Sequence, residues 1–143
     1  RDSLRVRQML EPTIAADAAK NADPALIAAL AACLERQETL LDRDAAFLEE
    51  DMAFHNLLAA ATGNRVLMRV LTAIRDLLHV SREVTNQWPN ALPGALVAHR
   101  LIFDAVRDGD PERARKVMAD HLGRSVPRAW LGPDEAERYV AVS

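Results

Sequence analysis

Asp51 and His55 stand one helical turn apart in EEDMAFHNLLAAATGN, residues 49–64, a stretch whose apolar residues recur with helical period. At about 100° per residue the two lie about 40° apart, between Phe47, Phe54 and Leu58 on one side and Leu48 and Thr62 on the other. Both therefore point along the stripe that should face a core. His99 repeats the placement among Ala95, Leu96, Ile102, Phe103 and Val106, and His121 among Ala114, Val117 and Met118. The fourth histidine, His79, falls with Thr72, Arg75, Asp76, Arg82 and Glu83, on a polar side. Burying polar and charged groups without partners costs at least a few kcal/mol, and a shared divalent cation would satisfy all four inward residues at once. It would take a carboxylate oxygen and a neutral imidazole nitrogen from each histidine, and side chains at i and i+4 can converge on one ion without distorting the helix. The other reading is that each histidine is a core residue with its own hydrogen bond. A D-x-x-x-H pair alone does not decide between them; the additional inward histidines favour the metal.

Three imidazoles and a carboxylate suit zinc, nickel, manganese or iron(II), with zinc the first expectation by commonness. Cys33 is the single cysteine, so a cysteine-only metal site and an internal disulfide are both excluded, which fits a reducing compartment. The cytoplasm is the expected location.

The elements that must position these residues are helices. Only 4% of residues are aromatic, there are five glycines, and Ala, Leu, Arg and Glu abound. No segment reads as a strand. A first helix is expected from about Ser3 to Lys20, with Pro12 kinking it and Arg7 flanking its apolar side. A second follows the Asp23 cap and Pro24 and runs to about Leu41. The third spans about Asp44 to Thr62 and stops at Gly63, after which Asn64 caps a fourth with Leu67, Val70, Leu71, Ile74, Leu77 and Leu78 inward. That helix should fray in NQWPNALPG, giving a loop over 86–94. A fifth is expected from about Ala95 to Arg107, and a sixth from Pro111 towards Ser125, separated by the DGD boundary at Gly109. Residues beyond Pro127 form a short last helix or a tail. Long helices with short connections predict an all-α antiparallel bundle, with sites built from side chains on facing helices.

The 143 residues, half of them hydrophobic, suit one domain spanning 1–143. A net charge of −3 with interspersed signs provides no basic patch, so this stretch is not expected to bind nucleic acid itself. The longest apolar runs, such as ALIAALAACL, are too short to span a bilayer, and RDSLRVRQ has no signal-peptide pattern, so no membrane partner is expected.

Several motifs occur in order: R-x-x-L-E from Arg7, D-x-x-F-H from Asp51, T-G-N at Thr62, A-H-R-L-I-F-D-A-V-R-D-G-D from Ala98, and A-R-K-V-M-A-D-H-L from Ala114. Together, over about residues 3–126, they resemble the FCD domain, the C-terminal effector-binding domain of the FadR-type branch of the GntR family of bacterial transcription regulators. The resemblance implies a bundle of six to seven helices around a central pocket, with a metal held by Asp51, His55, His99 and His121. It also implies a small carboxylate or hydroxycarboxylate effector at the open coordination positions, with Arg7 pairing its carboxylate. Arg75 and Arg82 flank the apolar stripe of the fourth helix and are further candidates for anion contact, or solvated surface residues. The family's N-terminal winged helix-turn-helix is not in this sequence, so DNA would be reached only through it. Homodimers are usual in the family, although nothing in the sequence shows which helices form the interface. The leading expectation is thus a metal-dependent sensor of an organic acid that controls DNA binding and is not an enzyme. Two alternatives remain: a small metalloenzyme, for which no general base is evident beside the open position, and a purely structural metal site.

Overall fold

Capping residues set most of the helix boundaries. In the computed structural model the backbone is described for residues 2–86 and 91–128, and side chains for all of these except 2, 77–86, 91 and 124–128. Six helices follow one another: α1 (Asp2–Lys20), α2 (Pro24–Glu38), α3 (Asp44–Ala61), α4 (Arg65–Asn86), α5 (Ala91–Arg107) and α6 (Pro111–Arg128). There is no strand among the described residues. Asp23 Oδ1 accepts from the Leu26 amide at 2.7 Å, Asn64 Oδ1 from the Val66 and Leu67 amides at 3.1 Å, and Asp110 Oδ1 from the Arg113 amide at 3.1 Å. Each of these satisfies an amide that has no acceptor within its helix.

At Gly109, φ is +64°, a left-handed conformation that lets the Asp110 amide bond back to Ala105 O at 3.0 Å. A side chain there is strained whatever the surrounding space, so Gly109→Ala is expected to destabilise the domain by about 1–2 kcal/mol in urea titrations. No loss of stability would show that the turn relaxes freely.

Four expectations need correction. The loop after α4 is shorter than the reading over 86–94, because α5 begins at Ala91 with Pro93 inside its first turn. A proline is tolerated there because first-turn amides have no helical acceptor, and Leu92 is buried, anchoring the early turn. Helix α2 ends at Glu38, before Leu41, where the Thr39 amide and hydroxyl both bond to Arg36 O, at 3.2 and 2.8 Å, and tighten the chain into a turn. Val70 is 38% exposed, whereas Leu71 and Ile74 are buried. On α4 it sits about 60° from Leu67, at the edge of the inward stripe. Helix α6 runs to Arg128, past the expected stop near Ser125. Leu77, Leu78 and His79 lie outside the described side chains, and the last helix or tail lies outside the described residues.

The arrangement is a helical bundle in which α1 packs most extensively against α6 and also meets α3, α4 and α5. Its buried face is built from Ile14, Ala15, Ala16, Ala18 and Ala19, small side chains that allow close approach. Phe47, Phe54 and Leu58 of α3, Leu30 and Leu34 of α2, Ile102 and Val106 of α5, and Met118 and Leu122 of α6 complete one core cluster. No helix among the described residues is long and apolar enough to cross a membrane.

Candidate metal centre

The polar residues singled out by helical spacing meet inside this core. One ligand atom from each of Asp51, His55, His99 and His121 can be chosen so that all four lie within 4.8 Å of one another. Helix α3 contributes two of these residues, α5 one and α6 one. His99 is fully buried, Asp51 and His55 nearly so, and His121 partly exposed. The His55 and His121 rings stack with centroids 5.6 Å apart, and His99 meets His121 edge-on at 5.0 Å. Phe54 stacks on His99 at 4.6 Å and backs that ring with the core.

The hydrogen bonding decides which nitrogens face inward. Nδ1 of His99 lies 2.7 Å from Gln37 Oε1. The amide of Gln37 is oriented by its Nε2, which donates to the Glu50 main-chain carbonyl at 3.2 Å. That carbonyl can only accept, so Oε1 faces the ring and His99 Nδ1 must carry the proton. His99 Nε2, then a lone pair in the neutral ring, lies 3.0 Å from Asp51 Oδ1. Nδ1 of His55 lies 2.9 Å from Glu11 Oε2 and its Nε2 3.4 Å from the same Asp51 oxygen, although neither contact is aligned as a hydrogen bond. Imidazole lone pairs facing a carboxylate oxygen need a cation between them, either a proton or a metal. Ligand atoms around a zinc-like ion at about 2.0–2.2 Å stand about 3–4.4 Å apart, so the observed cluster needs only slight contraction. The donor set therefore fits a divalent ion. Holding the outer nitrogen of a ring with an acceptor, as Gln37 does for His99, is also how metal-binding histidines are usually fixed.

The carboxylates favour positive charge, as a proton or a metal, at this centre. Burial would lower the basicity of His55, but the Glu11 and Asp51 carboxylates outweigh it and raise its pKa. Burial, reinforced by the neighbouring His99 and His55 imidazoles, pushes His121 well below the usual histidine range and keeps it in the neutral form that coordinates metals. Cys33 is no competitor. Burial and the nearby Glu50 push its thiol up to about 12, and its Sγ donates to Glu50 O at 3.2 Å.

Arg7 is more deeply placed than its flanking position predicts. Its Nε and Nη2 donate to the two oxygens of Glu11 at 2.7 and 3.0 Å, and both residues are buried. A cavity of about 20 Å³ beside His55 is lined by Arg7, Glu11, Met52, Asn56, Leu71, Ile74 and Arg75. It brings Arg75 to the centre with Arg7, and Arg75 Nε is buried with no hydrogen-bond partner among the described residues. The side chain of Arg82 lies outside the described residues. Spacing alone missed Glu11, which lies 2.9 Å from Nδ1 of His55, and Gln37, which holds Nδ1 of His99. The signal was present: Glu11 follows Arg7, and Gln37 follows Cys33, by one helical turn, each beside the apolar stripe of its helix.

The FCD domain family matches residues 2–124. The HTH-type transcriptional repressor NanR of Klebsiella aerogenes is 32% identical over 131 residues, which are 88% of this chain and 49% of that protein. NanR of Escherichia coli K12 is 34% identical over 128 residues, 88% of this chain and 48% of the repressor. The chain thus spans about half the length of these curated relatives. The solved structure of a GntR protein from Streptococcus agalactiae superimposes with a TM-score of 0.76 at 28% identity, covering 89% of this chain and 57% of that one. The relatives are named as regulators, which supports the regulatory reading over the catalytic one. A family match across most of the chain, on a helical bundle of the same fold, makes the chain a member of the FCD domain family found in GntR-type transcription regulators.

Proposed function

We propose that residues 1–143 form the ligand-sensing and dimerisation domain of a longer GntR-family regulator of the FadR branch. In this reading Asp51, His55, His99 and His121 hold a divalent ion, zinc first and nickel or manganese as alternatives, and a small carboxylate or hydroxycarboxylate is sensed against it. The observation that carries the reading is the convergence of these four side chains from three helices beside a cavity that two arginines line. When bound, the ion supplies a fixed positive charge and a coordination position that a carboxylate can fill. Arg75 Nε, and those N–H groups of Arg7 not engaged by Glu11, are the donors placed for the rest of the anion, with Arg82 a further candidate.

A cavity of about 20 Å³ holds little more than one water. An organic acid therefore requires Met52 to change rotamer, or α4, which carries Leu71, Ile74 and Arg75, to move outward. Such a displacement gives two arrangements for the acid to discriminate, and two copies of the chain in a homodimer would pass the difference to DNA-binding domains joined at their N-termini. The test is calorimetric titration of metal-loaded protein with small mono-, di- and hydroxycarboxylates. At least one is expected to bind, to lose binding when the metal is stripped, and to bind about 10–100-fold more weakly to Arg75→Ala, the loss of a charge-assisted hydrogen bond. If none binds, the sensing role is wrong. The small cavity favours one second reading, a structural ion with all its positions filled by protein, which predicts metal-dependent stability without any acid binding.

A further inference from the structure

We infer that Gln37 is a positioning residue for the metal centre: its side-chain amide fixes the tautomer and ring orientation of His99 so that Nε2 faces the Asp51, His55 and His121 cluster. The inference rests on the metal reading above and adds a residue that touches neither metal nor effector. Gln37 is fully buried at the end of α2, where an uncommitted amide would be costly, and both ends of its amide are engaged. Nε2 donates to Glu50 O at 3.2 Å and lies 3.6 Å from Cys33 Sγ, while Oε1 faces His99 Nδ1 at 2.7 Å. Glu50 immediately precedes Asp51, and Asp51 Oδ1 lies 3.0 Å from the other nitrogen of the same ring. The result is a closed circuit through α2, α3 and α5: Glu50 carbonyl, Gln37 amide, His99 imidazole, Asp51 carboxylate.

The circuit fixes more than an angle. A ring held by Gln37 Oε1 at Nδ1 presents a lone pair at Nε2. Without that acceptor the proton can shift to Nε2 and block the coordinating atom. Phe54, stacked on one face of the ring, restricts tilt but cannot select a tautomer. Leucine at position 37 could not replace the amide in this role, because it offers no acceptor.

The experiment compares wild type with Gln37→Leu and Gln37→Glu, all stripped and then titrated with Zn(II) against a chromogenic chelator. Melting of each metal-free protein monitors folding, and ¹⁵N imidazole spectra report the His99 tautomer. Gln37→Leu is expected to weaken Zn(II) binding about 10–100-fold and to give mixed His99 tautomers, and Gln37→Glu, which keeps an acceptor facing Nδ1, to restore the single tautomer. Wild-type affinity and an unchanged tautomer in a folded Gln37→Leu protein would overturn the inference while leaving the metal reading intact. Mixed His99 tautomers in a folded Gln37→Glu protein would also overturn it, by showing that the acceptor facing Nδ1 does not select the tautomer. A wild type that binds no Zn(II) would refute the metal reading, and the inference with it.

Discussion

Asp51→Ala is expected to weaken divalent-metal binding by at least about a thousandfold and to abolish the stabilisation that metal gives the domain. Asp51 is the single anion in the candidate donor set, and its Oδ1 stands within 3.0 Å of His99 Nε2 and 3.4 Å of His55 Nε2. Without it, three imidazoles must bind a dication in a buried site with no carboxylate in the donor set to offset it. A ligand that binds only the folded state at a thousandfold excess over its Kd stabilises by about 4 kcal/mol. For a domain of this size that corresponds to a rise in Tm of more than about 10 °C. Differential scanning calorimetry with and without Zn(II) should show such a rise in wild type and almost none in Asp51→Ala. An equal rise in both would place the ion elsewhere.

The second large effect concerns the buried ion pair behind the centre. Glu11→Leu is expected to cost about 3–5 kcal/mol, because it leaves the Arg7 guanidinium buried without its partner. The two residues are only 5% and 4% exposed and share two hydrogen bonds at 2.7 and 3.0 Å. Replacing both, Arg7→Met with Glu11→Leu, should recover much of that loss in urea denaturation, since apolar residues of similar size often substitute for a buried pair with little cost. A loss below about 1 kcal/mol in Glu11→Leu would mean that water reaches Arg7 freely.

The pair also sets an acid dependence. Burial alone would raise the Glu11 pKa, but the charges of Arg7 and His55 hold it well below the ordinary range. Its folded-state pKa is therefore depressed. The stability it contributes is fully present above the unfolded value of about 4.3 and is lost as pH falls through the folded value. The metal-free double variant should accordingly lose stability less steeply below about pH 4.3 than wild type. His55, with its pKa raised, acts in the opposite sense in metal-free protein. Its contribution is complete below about 6.5 and fades as pH rises through its folded value.

Much of this was legible in the sequence because helical periodicity is a strong signal and the helix caps are explicit. Asp23, Asn64, Gly109 and Asp110 mark boundaries that the structure keeps, and the inward angles of Asp51, His55, His99 and His121 follow from spacing alone. What spacing could not give was the partner of each polar residue. Gln37 had no part in the sequence reading, and its importance appears only when α2 packs beside α3 and α5, which is a tertiary fact. Glu11 was hidden by the same limit: an i, i+4 Arg–Glu pair is ordinarily a solvated surface pair, and only the burial of α1 by its neighbours turns it inward. The early start of α5 was obscured because Pro93 and Gly94 signal a loop unless the proline falls within the first turn.

The measurement that most directly tests the central claim is elemental analysis of protein purified without chelator, beside an Asp51→Ala and His121→Ala double variant. About one divalent ion per chain is expected in wild type and none in the variant. Wild-type protein without metal, even after reconstitution with zinc, nickel or manganese, would contradict it and leave the inward histidines as residues of the core.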